Sequence, residues 1–197
     1  VNIPDKYLLN AMLEQGDQNG DGRLTTEELK SVKEIYISDA DKNEIDFTGI
    51  EYATNLKYVY INNAKKLNHT EELKQLTKIE RLTVTGVADN DIENIVKMES
   101  LTDLDISGSF KNINGLEQLK KLEYLRLKSD ELEDIQTLKN LDNLDELYIN
   151  ECKKIKDISC LKKGAYSTLG ISENIPADQV LDYEDFGDVT IQKGNFM

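Results

Sequence analysis

One apolar pattern recurs seven times along this chain of 197 residues, and it constrains the fold more than any other feature. Each copy reads apolar-x-x-apolar-x-apolar, and successive copies begin 24, 23, 22, 21, 22 and 22 residues apart. The copies begin at Val32, Leu56, Ile79, Leu101, Leu122, Leu144 and Tyr166. A period in this range is typical of a solenoid, in which each repeat forms one coil that packs only against its neighbours. We therefore expect function to reside on a repeated surface of stacked coils.

Within each copy, the last two apolar positions alternate with polar ones, as in a half-buried strand. A second apolar group follows each strand, for example Ile113, Leu116 and Leu119, and its spacing suits a 3₁₀ turn or short helix. This order predicts an α/β solenoid of the leucine-rich-repeat type, a horseshoe with one parallel sheet on its concave side. Seven leucine-rich repeats would occupy residues 32–172, between a helical amino-terminal cap at 1–31 and a carboxy-terminal cap at 173–197.

Residues 17–28, DQNGDGRLTTEE, match the calcium loop D-x-[DN]-x-[DN]-G-x₅-E at every defined position. The predicted ligands are the side chains of Asp17, Asn19 and Asp21, the carbonyl of Arg23, a water held by Thr25, and both carboxylate oxygens of Glu28. Calcium is therefore the predicted cofactor, and a lone loop of this kind suits a brace for the first coil better than a signalling switch. The alternative is that the loop has lost calcium binding and folds without metal. Helices are expected on both sides of the loop, at Asp5–Gln15 and Thr25–Val32.

The strand register predicts which side chains project from the concave face, namely those at positions 3, 5 and 7 of each repeat. Five of the nine tyrosines of the chain occupy such positions. Tyrosine suits a binding face because it offers a large contact area, a polar tip and little entropy to lose. The candidate ligand-binding residues are Tyr36, Tyr58, Tyr60, Arg81, Tyr124, Arg126 and Tyr148. The alternative is the ordinary preference of tyrosine for strands.

Charge argues against nucleic acid as a partner, and hydropathy argues against a membrane-spanning segment. With 38 acidic and 24 basic residues, the net charge of −14 would repel nucleic acid. No run of 18 apolar residues is present, so the sequence predicts no membrane span.

The sequence also predicts that the chain is not an enzyme, because it contains none of the common catalytic motifs. Asp103 and Asp105, two residues apart on one strand, are the arrangement closest to the carboxylate pair of a glycoside hydrolase. Arg81 and Arg126 are expected beside them and should keep both acids ionised, whereas hydrolysis needs one of them protonated. The acid-rich stretch 89–94 is expected to be a solvated turn.

Three short phrases carry a family resemblance. They are the opening IPD of Ile3–Asp5, GIEYATNLK at Gly49–Lys57, and DISCL at Asp157–Leu161. Together with the repeats they resemble the internalin-like leucine-rich-repeat proteins of Gram-positive bacterial surfaces, over about residues 2–172. The calcium loop is more similar to the caps of dockerin-bearing or EF-hand-bearing surface proteins. The resemblance implies an exported adhesion or recognition module, extracellular or at the cell surface, with a helical amino-terminal cap.

The function predicted from the sequence is therefore non-catalytic recognition or adhesion by a secreted or cell-surface bacterial protein. Its ligand would be a protein, in preference to a glycan, bound on the concave face. The alternative is a spacer or assembly segment of a larger surface protein or enzyme.

Overall fold

A parallel sheet of eight strands dominates the computed structural model, which describes residues 1–161, 165–171 and 190–193. Its strands are β1 (Glu34–Ile37), β3 (Tyr58–Ile61), β5 (Arg81–Ala88), β6 (Asp103–Ser109), β7 (Tyr124–Lys128), β8 (Glu146–Asn150), β9 (Thr168–Ile171) and β10 (Thr190–Lys193), in that spatial order. The first seven are the strands of the predicted repeats. β10 adds an eighth strand within the segment predicted as a carboxy-terminal cap, and the rest of that segment lies outside the described residues.

Parallel pairing places residues of equal repeat position side by side. Ile35 of β1 pairs with Val59 of β3, and the same alignment continues through the sheet. All 21 apolar positions of the repeated pattern are buried. Burial of one such aliphatic side chain contributes about 1.5 to 3 kcal/mol, so the repeated apolar rows supply most of the driving force for stacking. The predicted leucine-rich-repeat solenoid with a concave parallel sheet is confirmed.

The outer side of the coils carries short helical segments, as predicted. Their bounds are Ile50–Tyr52, Thr70–Gln75, Leu116–Gln118 and Gln136–Asn140, all 3₁₀, and α3 at Asp89–Ile95. Two outer strands, β2 (Glu44–Asp46) and β4 (Lys66–Asn68), form a separate small sheet.

The expectation of a solvated turn at 89–94 is wrong, because this stretch forms the helix α3. Asp91 is fully buried, and its carboxylate accepts hydrogen bonds from the Ala88 amide and the Thr70 hydroxyl, both at 2.8 Å. These bonds compensate the cost of burying a carboxylate.

A bulge between β5 and β6 explains why glycine occupies positions 86 and 108. The register shifts between Thr85 and Val87, and Gly86 has a φ of +81°. A Cβ at Gly86 would lie 2.8 Å from the Lys66 amide nitrogen, and one at Gly108 would lie 2.0 Å from the Val87 carbonyl oxygen. Neighbouring coils therefore approach backbone to backbone at this point, and only glycine leaves the necessary room.

The amino-terminal segment forms two helices. Helix α1 spans Lys6–Gly16 and is capped by the Asp5 carboxylate, close to the predicted bounds. Helix α2 covers only Thr26–Leu29, so the predicted exit helix is shorter than expected. Within the described residues, no helix has the length and hydropathy needed to cross a bilayer.

The side chain of Gln15 closes the free edge of β1. Its Oε1 accepts from the amides of Lys33 and Glu34 at 3.2 and 3.4 Å, while its Nε2 donates to the Glu34 carbonyl. The side-chain amide thus takes the place of a backbone peptide group from a further strand. This arrangement occupies hydrogen-bonding groups that an exposed edge strand would offer to another chain.

We predict that Gln15→Ala destabilises the protein by about 1 kcal/mol and promotes self-association, because the edge of β1 loses its hydrogen-bond partners. Urea unfolding and light scattering measure the two effects. Glu14→Ala, at a neighbouring exposed helix position, is the matched control and should change neither. Equal unfolding midpoints for the two variants would contradict this role of Gln15.

Candidate concave recognition face

The exposed face of the large sheet follows from strand alternation. In β1, Ile35 and Ile37 are buried while Glu34 and Tyr36 are exposed, and the first four residues of β3, β5, β6, β7 and β8 alternate in the same way. Register then aligns the outward side chains in rows that cross the strands. The seven candidate binding residues all lie on this surface, where they form two groups.

The first cluster consists of Tyr36, Tyr58, Tyr60 and Arg81. Tyr36 pairs with Tyr60 in register, and their rings stack with centroids 4.8 Å apart and planes inclined by 15°. The Arg81 guanidinium carbon lies 5.5 Å from the Tyr58 ring centroid, within cation–π range. Tyr36 and Tyr58 remain 65% and 36% exposed. This cluster is an accessible aromatic surface whose rings already hold fixed positions.

The second cluster consists of Tyr124, Arg126 and Tyr148, with Asp105 beside them. The Arg126 guanidinium carbon lies 5.9 Å from the Tyr124 ring centroid and 5.0 Å from that of Tyr148. The two tyrosine centroids are 5.5 Å apart. Asp105 Oδ2 lies 3.6 Å from Arg126 Nη1. Three adjacent strands, β6, β7 and β8, therefore contribute to one aromatic and charged group.

One donor in the second cluster is unused. Arg126 Nε is buried and has no hydrogen-bond partner within the described part of the chain. An unsatisfied buried donor costs about 1 to 3 kcal/mol. The cluster therefore retains a hydrogen-bonding capacity that the described residues do not fill.

Burial sets the protonation of the second cluster. It raises the pKa of Tyr124 to about 12, and it also raises the pKa of Tyr148. Both phenols therefore remain protonated at neutral pH.

Arg126 was expected to keep Asp105 ionised, and burial acts against this effect. Burial raises the pKa of the Asp105 carboxyl above its ordinary value, although Arg126 opposes the shift. The carboxylate side chain is only 26% exposed, so loss of solvation outweighs an ion pair at 3.6 Å. Asp103 is paired with Arg81, whose Nε lies 3.6 Å from Asp103 Oδ1, as the register predicted.

Lys57 and Glu80, which were not among the residues predicted from the sequence, border the first cluster. Lys57 Nζ lies 2.6 Å from Glu80 Oε1, and the Tyr58 hydroxyl donates to Glu80 Oε2 at 3.4 Å. Both residues occupy position 2 of adjacent repeats. Opposite charges at equal repeat positions were the signal that could have identified them.

The predicted calcium ligands lie in a loop between α1 and α2. The Asp17 carboxylate accepts hydrogen bonds from the amides of Gly20, Asp21 and Gly22 at 2.9 to 3.1 Å. Gly20 and Gly22 both have a φ of +73°, which a sharp loop of this kind needs. The backbone therefore has a compact turn around the Asp17 carboxylate.

Glu28, the predicted ligand at the last position of the loop, makes other hydrogen bonds in this structure. The Glu28 carboxylate accepts from the Thr25 amide and hydroxyl at 2.9 and 2.8 Å, which forms a capping box at the start of α2. Within the described residues, no three Asp, Glu, His or Cys side chains are gathered closely enough to hold a metal ion. The oxygen donor set fits calcium chemically, but Glu28 would have to leave its capping position to complete the shell.

No protein-family model matches the chain, and no curated protein matches it. Solved structures do resemble it. An internalin (inlF) from Listeria monocytogenes matches with a TM-score of 0.66 and 21% identity, over 98% of this chain and 63% of that one. Internalin C2 (inlC2) from the same species matches with a TM-score of 0.66 and 21% identity, over 98% of this chain and 94% of that one. This chain therefore has the leucine-rich-repeat fold that these internalins share.

Proposed function

We propose that this chain is a recognition module that binds a protein ligand on its concave face. The observation that carries the proposal is the pair of tyrosine and arginine clusters on the exposed side of the sheet. Tyrosine and arginine are enriched among residues that dominate binding energy in protein interfaces. Both clusters combine them on one continuous, rigid surface.

Ring contacts within the clusters favour tight binding. Tyr36 and Tyr60 are stacked before any ligand arrives, and Arg126 is already held near two rings. Side chains that are ordered in the free protein lose less entropy when a partner binds.

We propose a non-catalytic role, because the sequence contains none of the common catalytic motifs and both Asp103 and Asp105 are engaged in ion pairs with arginines. A spacer or assembly segment of a larger protein is the competing function. The location we propose is extracellular or at a bacterial cell surface. This location is supported by the internalin-like phrases in the sequence and by the fold likeness to Listeria internalins.

The binding test uses single alanine variants of Tyr60 and Tyr148, one from each cluster, against a partner selected from an array of extracellular proteins. We expect at least one variant to lose about 2 kcal/mol or more of binding free energy, roughly a 30-fold weaker Kd by titration. Tyr52, which is 42% exposed in an outer 3₁₀ segment, is the matched tyrosine control, and Tyr52→Ala should bind normally.

Thermal unfolding must first show that each variant is folded. If both cluster variants bind as tightly as Tyr52→Ala, the concave face is not the site. The tyrosine excess would then reflect strand preference, and the spacer function would be favoured.

We further propose that the loop at 17–28 binds one calcium ion that braces the first coil. The support is the complete oxygen donor set, Asp17, Asn19, Asp21, Arg23, Thr25 and Glu28, together with the turn around Asp17. When bound, the ion would neutralise adjacent carboxylates that otherwise repel one another. The affinity expected for a lone extracellular loop is a Kd of about 10⁻⁴ to 10⁻³ M.

Calorimetric titration of metal-free protein with calcium should therefore show one site. A few millimolar calcium should raise the free energy of unfolding by about 0.5 to 2 kcal/mol. Glu28→Gln should abolish both effects, because the amide can still accept from Thr25 but supplies no bidentate carboxylate. Glu27→Gln, at the exposed neighbouring position, is the control. Absence of both effects in the unmutated protein would make the loop a relic.

A further inference from the structure

A polar groove lies beside the tyrosine clusters, at the carboxyl ends of the strands. Its floor includes one row of side chains at position 7 of five consecutive repeats, and its volume is about 730 Å³. The row consists of Ser38, Asn62, Thr85, Ser107 and Lys128. It crosses four strand spacings of about 4.8 Å, so it is about 19 Å long. None of these residues belongs to the two clusters.

The lining of this groove is polar but electrically balanced. Three acidic residues, Asp39, Asp130 and Glu151, face three basic ones, Lys65, Lys128 and Lys153. Lys128 and Glu151 neutralise each other directly at 2.8 Å. Among the described residues of the lining, Ala64 alone has an apolar side chain. A groove of this composition selects a ligand that is hydrogen-bonding and uncharged.

Several polar groups of the groove are available to a ligand. The hydroxyls of Ser38, Ser107 and Ser109 make no hydrogen bond within the part of the chain that the structure describes, and neither does the side-chain NH₂ of Asn62. In contrast, the Thr85 hydroxyl is occupied, since it accepts from the Ala64 amide at 2.7 Å. The free hydroxyls can both donate and accept.

The bulge also shapes the groove. Gly86 and Gly108 lie in its wall and carry no side chain, because a Cβ at either position would collide with neighbouring backbone. The absence of these side chains lets neighbouring coils pack closely, and the two glycines form part of the groove lining.

We propose that this polar groove binds a neutral oligosaccharide that lies across the strands. A sugar chain carries many hydroxyls that donate and accept, which matches the free groups of the row. The stacked rings of Tyr36 and Tyr60 lie two residues before Ser38 and Asn62, which directly follow β1 and β3, and a sugar face can pack on these rings. An extended peptide fits less well, because its side chains need anchoring pockets that this lining lacks. The net charge of −14 disfavours an anionic polymer.

The test is an NMR titration with cellohexaose, maltohexaose and chitohexaose, followed through the amides of Gly86 and Gly108 and the side-chain NH₂ of Asn62. At least one of these neutral sugars should shift all three signals in a saturable way. Ser107→Leu, and independently Asn62→Leu, should weaken that binding at least tenfold. Thr77→Leu, in the exposed turn before β5 at the opposite ends of the strands, is the matched control and should not.

The proposal is overturned if none of the three sugars shifts these signals. It is also overturned if anionic hyaluronan hexasaccharide, or an unstructured peptide of serine, threonine and glycine, occupies the groove more tightly. Failure of this proposal is distinguishable from failure of the proposed protein ligand, because Asn62 and Ser107 lie outside both tyrosine clusters and Tyr148 lies outside the proposed sugar contact.

Discussion

Parallel pairing between residues of equal repeat position is the constraint on which the rest of this structure depends. Each coil advances the chain by one strand spacing, so a residue and its counterpart one repeat later become lateral neighbours. The same ladder that buries Ile35 beside Val59 also stacks Tyr36 on Tyr60. A slip of one residue would expose the apolar rows and bury the tyrosines. Hydrophobic burial therefore determines the geometry of the concave face.

Pairing between residues of equal repeat position also brings opposite charges together on this face. Arg81 meets Asp103, and Arg126 meets Asp105, each across one strand spacing. Such partly exposed pairs add only about 0 to 1 kcal/mol each to stability. Their larger effect is to hold the arginines near the tyrosine rings. The protein thus presents a surface on which arginines lie beside tyrosine rings, next to a groove that is electrically balanced.

Sequence reasoning predicted the features that depend on register. The apolar repeat located the seven strands, and counting positions within it correctly placed Arg126 beside Asp105 and Tyr148. It failed where tertiary packing overrides local pattern. The helix α3 is held in place by the hydrogen bond from Thr70, on the preceding coil, to the buried Asp91, and the Gly86 bulge depends on contact with Lys66. The role of Gln15 was equally hidden, because only the fold brings its amide to the edge of β1. Raised pKa values at Asp105 and Tyr124 follow from burial, which a sequence does not display.

The central claim is that strand register builds the side-chain pairs of the concave face, and ring-to-ring nuclear Overhauser effects test it most directly. With the tyrosine ring protons assigned, cross-peaks should connect Tyr36 to Tyr60 and Tyr124 to Tyr148, whose centroids are 4.8 and 5.5 Å apart. Tyr36→Leu should also remove the ring-current shift from the Tyr60 signals. A folded protein that lacks both sets of cross-peaks, and whose Tyr60 signals ignore the loss of the Tyr36 ring, would contradict this account.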